Sequence, residues 1–324
     1  MKTVRFFCIG IATLGLILAS AEKNFAAGAK YPVKPIQVIV AFAPGDTDVN
    51  LRPFMDKMPE YLGQPMTFIF KPGAAGAVGA SYVTTSKPDG YNILGSTQSA
   101  MVIIPLTQKG ISFTLESFTP ICNLAEAYPT LFVKSDARWK NLPELVAEAK
   151  QNPGKISVTS PGTLALQHLL VEALSKEAGI KLNHIPSQGS GPAITALLGG
   201  HVDMAVGSLT TGLAHIQAGS LRSLGIFNPK RVKALPKDPT VLEQGYRVDT
   251  PMIYGLVGPK DTPREVVDAL NSAAKKVIEN HKSYLIDRFD KTGSAILYLS
   301  PEEYGANLHK QRDFFKKVVD GLPK

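Results

Sequence analysis

The segment Ile36-Gln37-Val38-Ile39-Val40-Ala41-Phe42-Ala43-Pro44-Gly45-Asp46-Thr47-Asp48 decides how this chain is read. An apolar run broken only by Gln37 ends at a Pro-Gly turn signal, so Ile36–Phe42 is expected to be a buried strand. A turn at that place can aim several backbone N–H groups at one point beyond the strand's carboxyl end, where open α/β sheets bind small molecules. A helix starting there favours an anion. Asp46 and Asp48 admit two readings, helix capping or ligand contact. Two carboxylates facing one pocket would repel an acidic ligand, so at least one is expected to cap the helix or face away. The other would hold an amine or hydroxyl.

Working outward, the same alternation occurs twice. Ile36–Phe42 (strand), Val49–Leu62 (helix, stopped by Gly63), Met66–Phe70 (strand), Gly76–Ser86 (helix) and Tyr91–Gly95 (strand) form one βαβαβ unit. Ile156–Thr159, Leu164–Ala178, Lys181–Ile185, Pro192–Leu198 and Val202–Val206 form another, with the turn Ser160-Pro161-Gly162-Thr163 after its first strand. Alternating strands and helices imply parallel sheets with right-handed crossovers, and two units of similar size imply two α/β lobes with a ligand between them. Pro129–Val133 reads as a strand leaving the first lobe and Met252–Val257 as one returning. Arg264–Asn280 and Pro301–Val319 read as amphipathic helices that complete it. Pro53 and Pro59 lie inside the first expected helix, which should therefore be irregular.

A chain of 324 residues, 44% hydrophobic and 19% charged, fits about two folded domains. Lys2 and Arg5, the apolar run Phe6–Leu18 and the small residues Ala19-Ser20-Ala21 read as a signal peptide over 1–21, with a second cleavage site as late as Ala29. The apolar run is short for a membrane span, though an uncleaved anchor is the alternative. Its removal takes away Lys2 and Arg5 and no acid, which lowers the formal charge from +8 to +6. That excess is dispersed, with no basic block of the kind that reads nucleic acid. Cys8 would leave with the signal, and Cys122 alone cannot form an internal disulfide. Export without disulfides fits a periplasmic location.

Motifs for chemistry are missing. Gly73–Gly79 has GxxGxxG spacing rather than the dinucleotide GxGxxG and reads as close helix packing with a flexible loop. Gly154-Lys155 lacks the rest of a phosphate loop, and no nucleophile elbow occurs. None of the six histidines sits at metal-ligand spacing. His168 is expected to be structural. No catalytic residue, metal or cofactor is expected.

Pro44-Gly45 with Asp48, then Lys71-Pro72-Gly73-Ala74-Ala75-Gly76 and Pro88-Asp89-Gly90-Tyr91, resemble the Bug/TctC extracytoplasmic solute receptors, the substrate-binding components of tripartite tricarboxylate transporters. The similarity continues through Gly189-Ser190-Gly191-Pro192, Leu198-Gly199-Gly200, Asp203, His215, Ala218-Gly219, Arg231, Pro239-Thr240 and Ser300-Pro301-Glu302-Glu303, from about Tyr31 to Leu322. The resemblance implies a two-lobed, periplasmic-binding-protein-like "Venus flytrap" fold of class α/β, each lobe a mostly parallel sheet flanked by helices, with two crossing hinge strands. It implies lobe 1 over 30–128 and 252–324 and lobe 2 over 129–251. It also implies a ligand carboxylate held by backbone amides and waters from both lobes. By position, Phe42, Ala43, Gly45, Asp46, Thr47 and Asp48 match the first-lobe clamp, and Ser160, Gly162, Thr163 and Leu164 the second. Gly189, Ser190 and Asp203 match further pocket positions, and Ser96, Thr97 and Gln98 are expected to form a polar wall. The first loop is about one residue shorter and more acidic than the family's usual glycine-rich form.

The expected function is that of a monomeric, non-enzymatic periplasmic receptor that takes a small organic carboxylate to membrane permease subunits. A sensor subunit presenting the same ligand to a signalling partner is the first alternative, and an α/β hydrolase or isomerase acting on a similar acid the second.

Overall fold

The computed structural model describes residues 30–321. The expected signal segment with its two cleavage sites, and Cys8, lie outside the described residues. β1 (Ile36–Val40) is followed by a turn at Gly45, α1 (Asp46–Met55), α2 (Pro59–Leu62), β2 (Met66–Phe70), α3 (Ala77–Thr84) and β3 (Asn92–Thr97). A π-helical turn at Ser99–Ile103 and α4 (Ile104–Thr107) lead into the long β4 (Phe118–Ala127). The chain then builds β5 (Pro129–Lys134), α5 (Leu142–Gln151), β6 (Ser157–Ser160), α6 (Leu166–Ala178), β7 (Asn183–Pro186), α7 (Ser190–Leu198), β8 (Met204–Ser208), α8 (Leu209–Gln217) and β9 (Leu221–Ile226). It returns through β10 (Met252–Pro259) to α9 (Arg264–Asn280), α10 (Lys282–Thr292), β11 (Ala295–Leu299) and α11 (Pro301–Asp320).

Two sheets result, in the orders β11-β4-β10-β3-β1-β2 and β7-β6-β8-β5-β9. β1 sits between two parallel partners, with Val38 opposite both Phe68 and Ile93. Its Ile36, Val38, Ile39 and Val40 are fully buried, as expected of a strand covered on both faces. The second sheet repeats this around β6, which is parallel to β7 and β8. The expectation of mostly parallel sheets needs correcting. β10 is antiparallel to β3 and β4, β11 to β4, and β5 to both β8 and β9. The parallel part of each sheet is its βαβαβ unit. The antiparallel part comes from strands that run between the sheets or follow that return, which enter from the opposite end.

The first helix also departs from expectation. It begins at Asp46 rather than Val49 and is cut before Pro59, which opens α2 instead of kinking one long helix. Pro at a first-turn position loses no hydrogen bond, whereas in the interior it would. Gly63 ends α2 in the left-handed conformation at φ 70°. α9 matches the expected span, with Val266, Val267, Leu270, Ala273, Ala274 and Val277 buried on one stripe. α11 starts with Pro301 and a capping box: the Ser300 hydroxyl accepts from the Glu303 N–H at 3.3 Å while the Glu303 carboxylate accepts from the Ser300 N–H at 2.9 Å. In the GxxGxxG stretch, a Cβ on Gly79 would lie 2.7 Å from the Ala41 Cα. The glycine is thus a helix–strand packing device, not part of a nucleotide loop.

β4 passes into β5 with only Tyr128 between, and Ala127 pairs with Met252 at the start of β10. The two passages between the sheets therefore run side by side. Gly255 lies in the middle of this ladder, at a register shift, under the fully buried ring of Tyr304. A Cβ there would sit 2.6 Å from both the Cys122 carbonyl oxygen and the Tyr304 ring. Gly255→Ala is expected to destabilise the fold by about 1–3 kcal/mol through overpacking. A urea unfolding midpoint equal to that of the parent protein would contradict this.

Candidate functional site

The carboxyl ends of β1, β3, β6 and β8 converge on the gap between the sheets. A cavity of about 350 Å3, counting its open mouth, lies there. Phe42, Ala43, Asp46, Thr47, Thr97, Ser99 and Met252 line it from the first sheet's side, and Pro161, Gln167, Gly189 and Ser190 from the second's. A wider space of about 610 Å3 adjoins it, bounded by Gly73–Gly76 and Gln108 on one side and by Gly162, Thr163 and Pro186–Gln188 on the other. Phe42 and Pro161 border both spaces, so they form the partition between an inner cavity and its vestibule.

The acidic turn separates its two aspartates. Gly45 adopts φ 149° and donates its N–H to the Asp48 carboxylate at 2.6 Å. The other Asp48 oxygen pairs with Arg52 at 3.1 Å. Asp48 thus fixes the helix start and faces away from the cavity. Asp46 faces inward. One of its oxygens accepts from the Tyr254 hydroxyl at 2.6 Å and the other from the Asn50 side-chain amide at 3.2 Å. Burial pushes its carboxyl up from the ordinary 3.8 to about 6; hydrogen bonds from Tyr254 and Ser208 oppose the shift, and the Asp48 charge adds to it.

The second loop is held from beneath. The Ser160 hydroxyl and His184 Nε2 are 2.7 Å apart. The His184 ring stacks on His168, centroids 3.7 Å apart. His168 Nδ1 accepts the Leu164 N–H at 2.8 Å, and its Nε2 lies 3.3 Å from Glu172. Burial, with a smaller push from His168 and against the pull of Glu172, lowers the His184 pKa to about 4, so this imidazole is neutral near pH 7. His168 ties the loop to α6: its Nδ1 holds the Leu164 N–H while its Nε2 faces Glu172 on the same helix.

Of the residues singled out from sequence, Phe42, Ala43, Asp46, Thr47, Thr97, Gly189 and Ser190 meet in the inner cavity. Gly162 and Thr163 meet in the vestibule. Asp48, Ser160 and Leu164 hold the two loops through the bonds described above, and Gly45 faces the second sheet's side, where an added Cβ would lie 3.9 Å from the Gly191 nitrogen. Gln98 is turned to the inter-sheet passage, donating to the Pro251 carbonyl at 2.9 Å and accepting from the Ile253 N–H at 3.0 Å. Ser96 is wholly buried and its hydroxyl has no partner. Asp203 is a correction. It stands before β8, at the end of the sheet opposite Ser208, and its carboxylate accepts from the Ser157 N–H at 2.8 Å and the Ser157 hydroxyl at 2.6 Å. It ties the starts of β6 and β8 together, outside the cavity.

Sequence reasoning missed Ser99, Pro161, Gln167, Met252 and Tyr254. Pro161 lay inside a turn already singled out, so the turn itself was its signal. Tyr254 and Met252 belong to a strand that reads only as apolar. The two sides of the cleft also touch directly. The Ser99 hydroxyl accepts from the Leu166 N–H at 3.2 Å and Asn50 reaches Thr210 at 3.2 Å; outside the cleft, the exposed Lys233 pairs with Asp290 at 2.7 Å. No group of side chains suited to a metal ion occurs among the described residues, and none of their helices is long and apolar enough to cross a membrane.

A cleft between two α/β sheets joined by two passages is the architecture of a periplasmic solute-binding protein. A profile described as "Tripartite tricarboxylate transporter family receptor" matches residues 51–294. The UPF0065 protein in the gbd 5' region of Cupriavidus necator is 33% identical over 97% of this chain and 98% of its own. Among solved structures, a periplasmic transporter is 36% identical with a TM-score of 0.86, and the periplasmic binding protein BugD is 29% identical with a TM-score of 0.84. Each comparison covers 90% of this chain and 98% of the other. The chain belongs to the tripartite tricarboxylate transporter receptor family, a family of substrate-binding receptors and not of enzymes. The fold is shared at 23% identity with MatC from Rhodopseudomonas palustris with bound malate (TM-score 0.84, 89% of this chain and 100% of that one) and with a second R. palustris protein with adipate (TM-score 0.85, 90% and 97%).

The raised value of Asp46 has a consequence for stability. The folded protein holds this proton more tightly than the unfolded chain, so the group's contribution is fully present below about pH 4 and lost as pH rises through about 6. Asp46→Asn, which keeps an acceptor for Tyr254, is expected to stabilise the ligand-free protein at pH 8 by up to about 3 kcal/mol, with the gain fading toward pH 4. Unfolding midpoints measured across that range check the slope. A gain independent of pH would exclude ionisation as its cause.

Proposed function

We propose that this protein captures a small organic carboxylate in the periplasm and delivers it to the membrane permease of a tripartite transporter. On this reading 30–128 with 252–324 form one lobe and 129–251 the other. The ligand sits among Phe42, Ala43, Asp46, Thr47, Thr97, Gly189 and Ser190, with Gly162 and Thr163 at the mouth.

The observation that carries the proposal is the placing of helix starts from opposite sheets against one cavity. α1 begins at Asp46 and α7 at Ser190, both on the inner wall. First-turn N–H groups have no partner within their own helix and carry the positive end of its dipole. Around them stand the hydroxyls of Thr47, Thr97, Ser99 and Ser190. Such a wall binds an acid by hydrogen bonding in a desolvated space. The malate and adipate held by two proteins of the same fold support this chemistry. Binding would favour the closed arrangement because the ligand contacts both sides only there.

Thermal shift with a panel of mono-, di- and tricarboxylates tests the reading. Stabilisation by at least one acid is expected. Stabilisation by uncharged solutes alone would sink it. Closure has its own test at Gly162, where an added Cβ would lie 3.0 Å from the Ala75 Cβ across the cleft. Gly162→Val is expected to weaken ligand affinity by about tenfold or more while leaving the unfolding free energy of the free protein, measured in urea, within about 1 kcal/mol of the parent. Undiminished affinity would remove this loop from the closing surface.

A further inference from the structure

Asp46 is the one ionisable side chain on the inner cavity wall among the described residues. It is 8% exposed, and its hydrogen-bonding side-chain partners, Tyr254, Asn50 and Ser208, are all neutral donors. Asn50 turns its NH2 group toward Asp46, and its own carbonyl oxygen is left buried without a partner. The local donors are thus directed at the carboxylate, yet none cancels its charge. Arg52, the cation on the same helix, engages Asp48 instead. A buried carboxylate without a counter-charge is an expensive arrangement. In a cavity that closes around a solute, the solute can supply that charge. On the other side of the same cavity, α7 begins at Gly189–Ser190 with backbone N–H groups and a hydroxyl, a setting for an anion.

We propose that the ligand is a small zwitterion, its carboxylate received at the start of α7 and its ammonium group received by Asp46. This rests on the receptor reading above and narrows it from carboxylates in general to amino acids and their relatives. An acid bearing only carboxylates would bring like charge toward Asp46. A hydroxyl would add one more neutral donor and leave the charge standing. An ammonium group removes it through a charge-assisted hydrogen bond, roughly twice as strong as a neutral one. The titratable groups that face Asp46 are Asp48 on its own helix and Tyr254 on β10; α8 and the residue before it contribute only the Thr210 and Ser208 hydroxyls. With a carboxyl value near 6 in the ligand-free protein, Asp46 is ionised above that pH and loses its hold on a cation below it.

Calorimetric titration of the receptor with matched acids tests this. The series are succinate, malate and aspartate; glutarate, 2-hydroxyglutarate and glutamate; and propionate, lactate and alanine. In at least one series the amine-bearing member is expected to bind about tenfold tighter than both of its partners. That preference should collapse in Asp46→Asn and weaken from pH 8 to pH 5 in the unmodified protein. Should the variant not fold, the pH profile of the unmodified protein decides. Binding of unsubstituted or hydroxy acids as tight as that of amino acids, in every series that binds, overturns the zwitterion while leaving the receptor reading intact. If no acid of any series binds, both fall.

Discussion

The antiparallel pairing of β4 with β10, from Ala127 opposite Met252 to Phe118 opposite Pro259, holds the two inter-sheet passages next to each other. Two adjacent passages leave one soft axis between the sheets and resist other relative motions, which suits a hinge. The ladder also sets what can lie near it. Gly255 leaves room for the Tyr304 ring, and the Gln98 side chain clasps the backbone at Pro251 and Ile253. Tyr254, fully buried on the same strand, extends its hydroxyl to Asp46. One strand pairing thereby connects the hinge to the wall of the cavity.

The short acidic turn after β1 divides two like charges by role. Asp48 is engaged by the Gly45 N–H and by Arg52, and the positive end of α1 favours it. Asp46, two residues earlier, is turned to the cavity and meets only neutral donors. A turn with glycine in place of Asp46 would present backbone alone. This chain carries a buried charge on the cavity wall, and a charge discriminates most strongly among solutes where water is excluded. The second loop has no such charge. Its shape is kept by the neutral His184 beneath Ser160 and by His168 at the Leu164 N–H.

Legibility along the chain followed the range of the interactions involved. The βαβαβ units and the long helix Arg264–Asn280 were readable because apolar spacing and glycine stops are local signals. α1 starts at Asp46, three residues before the apolar spacing indicates, because its start depends on the Gly45–Asp48 bond, and Pro59 opens a new helix where local pattern indicates only a kink. Position in a resembling pattern places Asp203 in the pocket. Its carboxylate is instead satisfied by Ser157, forty-six residues away, a pairing that no local pattern announces. Ser99, Gln167 and Met252 come from three separate elements and acquire a common purpose only where those elements meet.

By itself the sequence determined the two α/β units, the glycine turns after their first strands and the presence of two aspartates in one of them, since each is written in contiguous residues and short-range chemistry. Only the tertiary structure decided that the sheets are half antiparallel, that Asp48 faces away while Asp46 faces in, and that the inward carboxylate meets Tyr254 across 208 residues of chain without any cation. The physical reason is that charge and desolvation at a site depend on everything packed around it, and that surrounding exists only once distant strands have been brought to the same cleft.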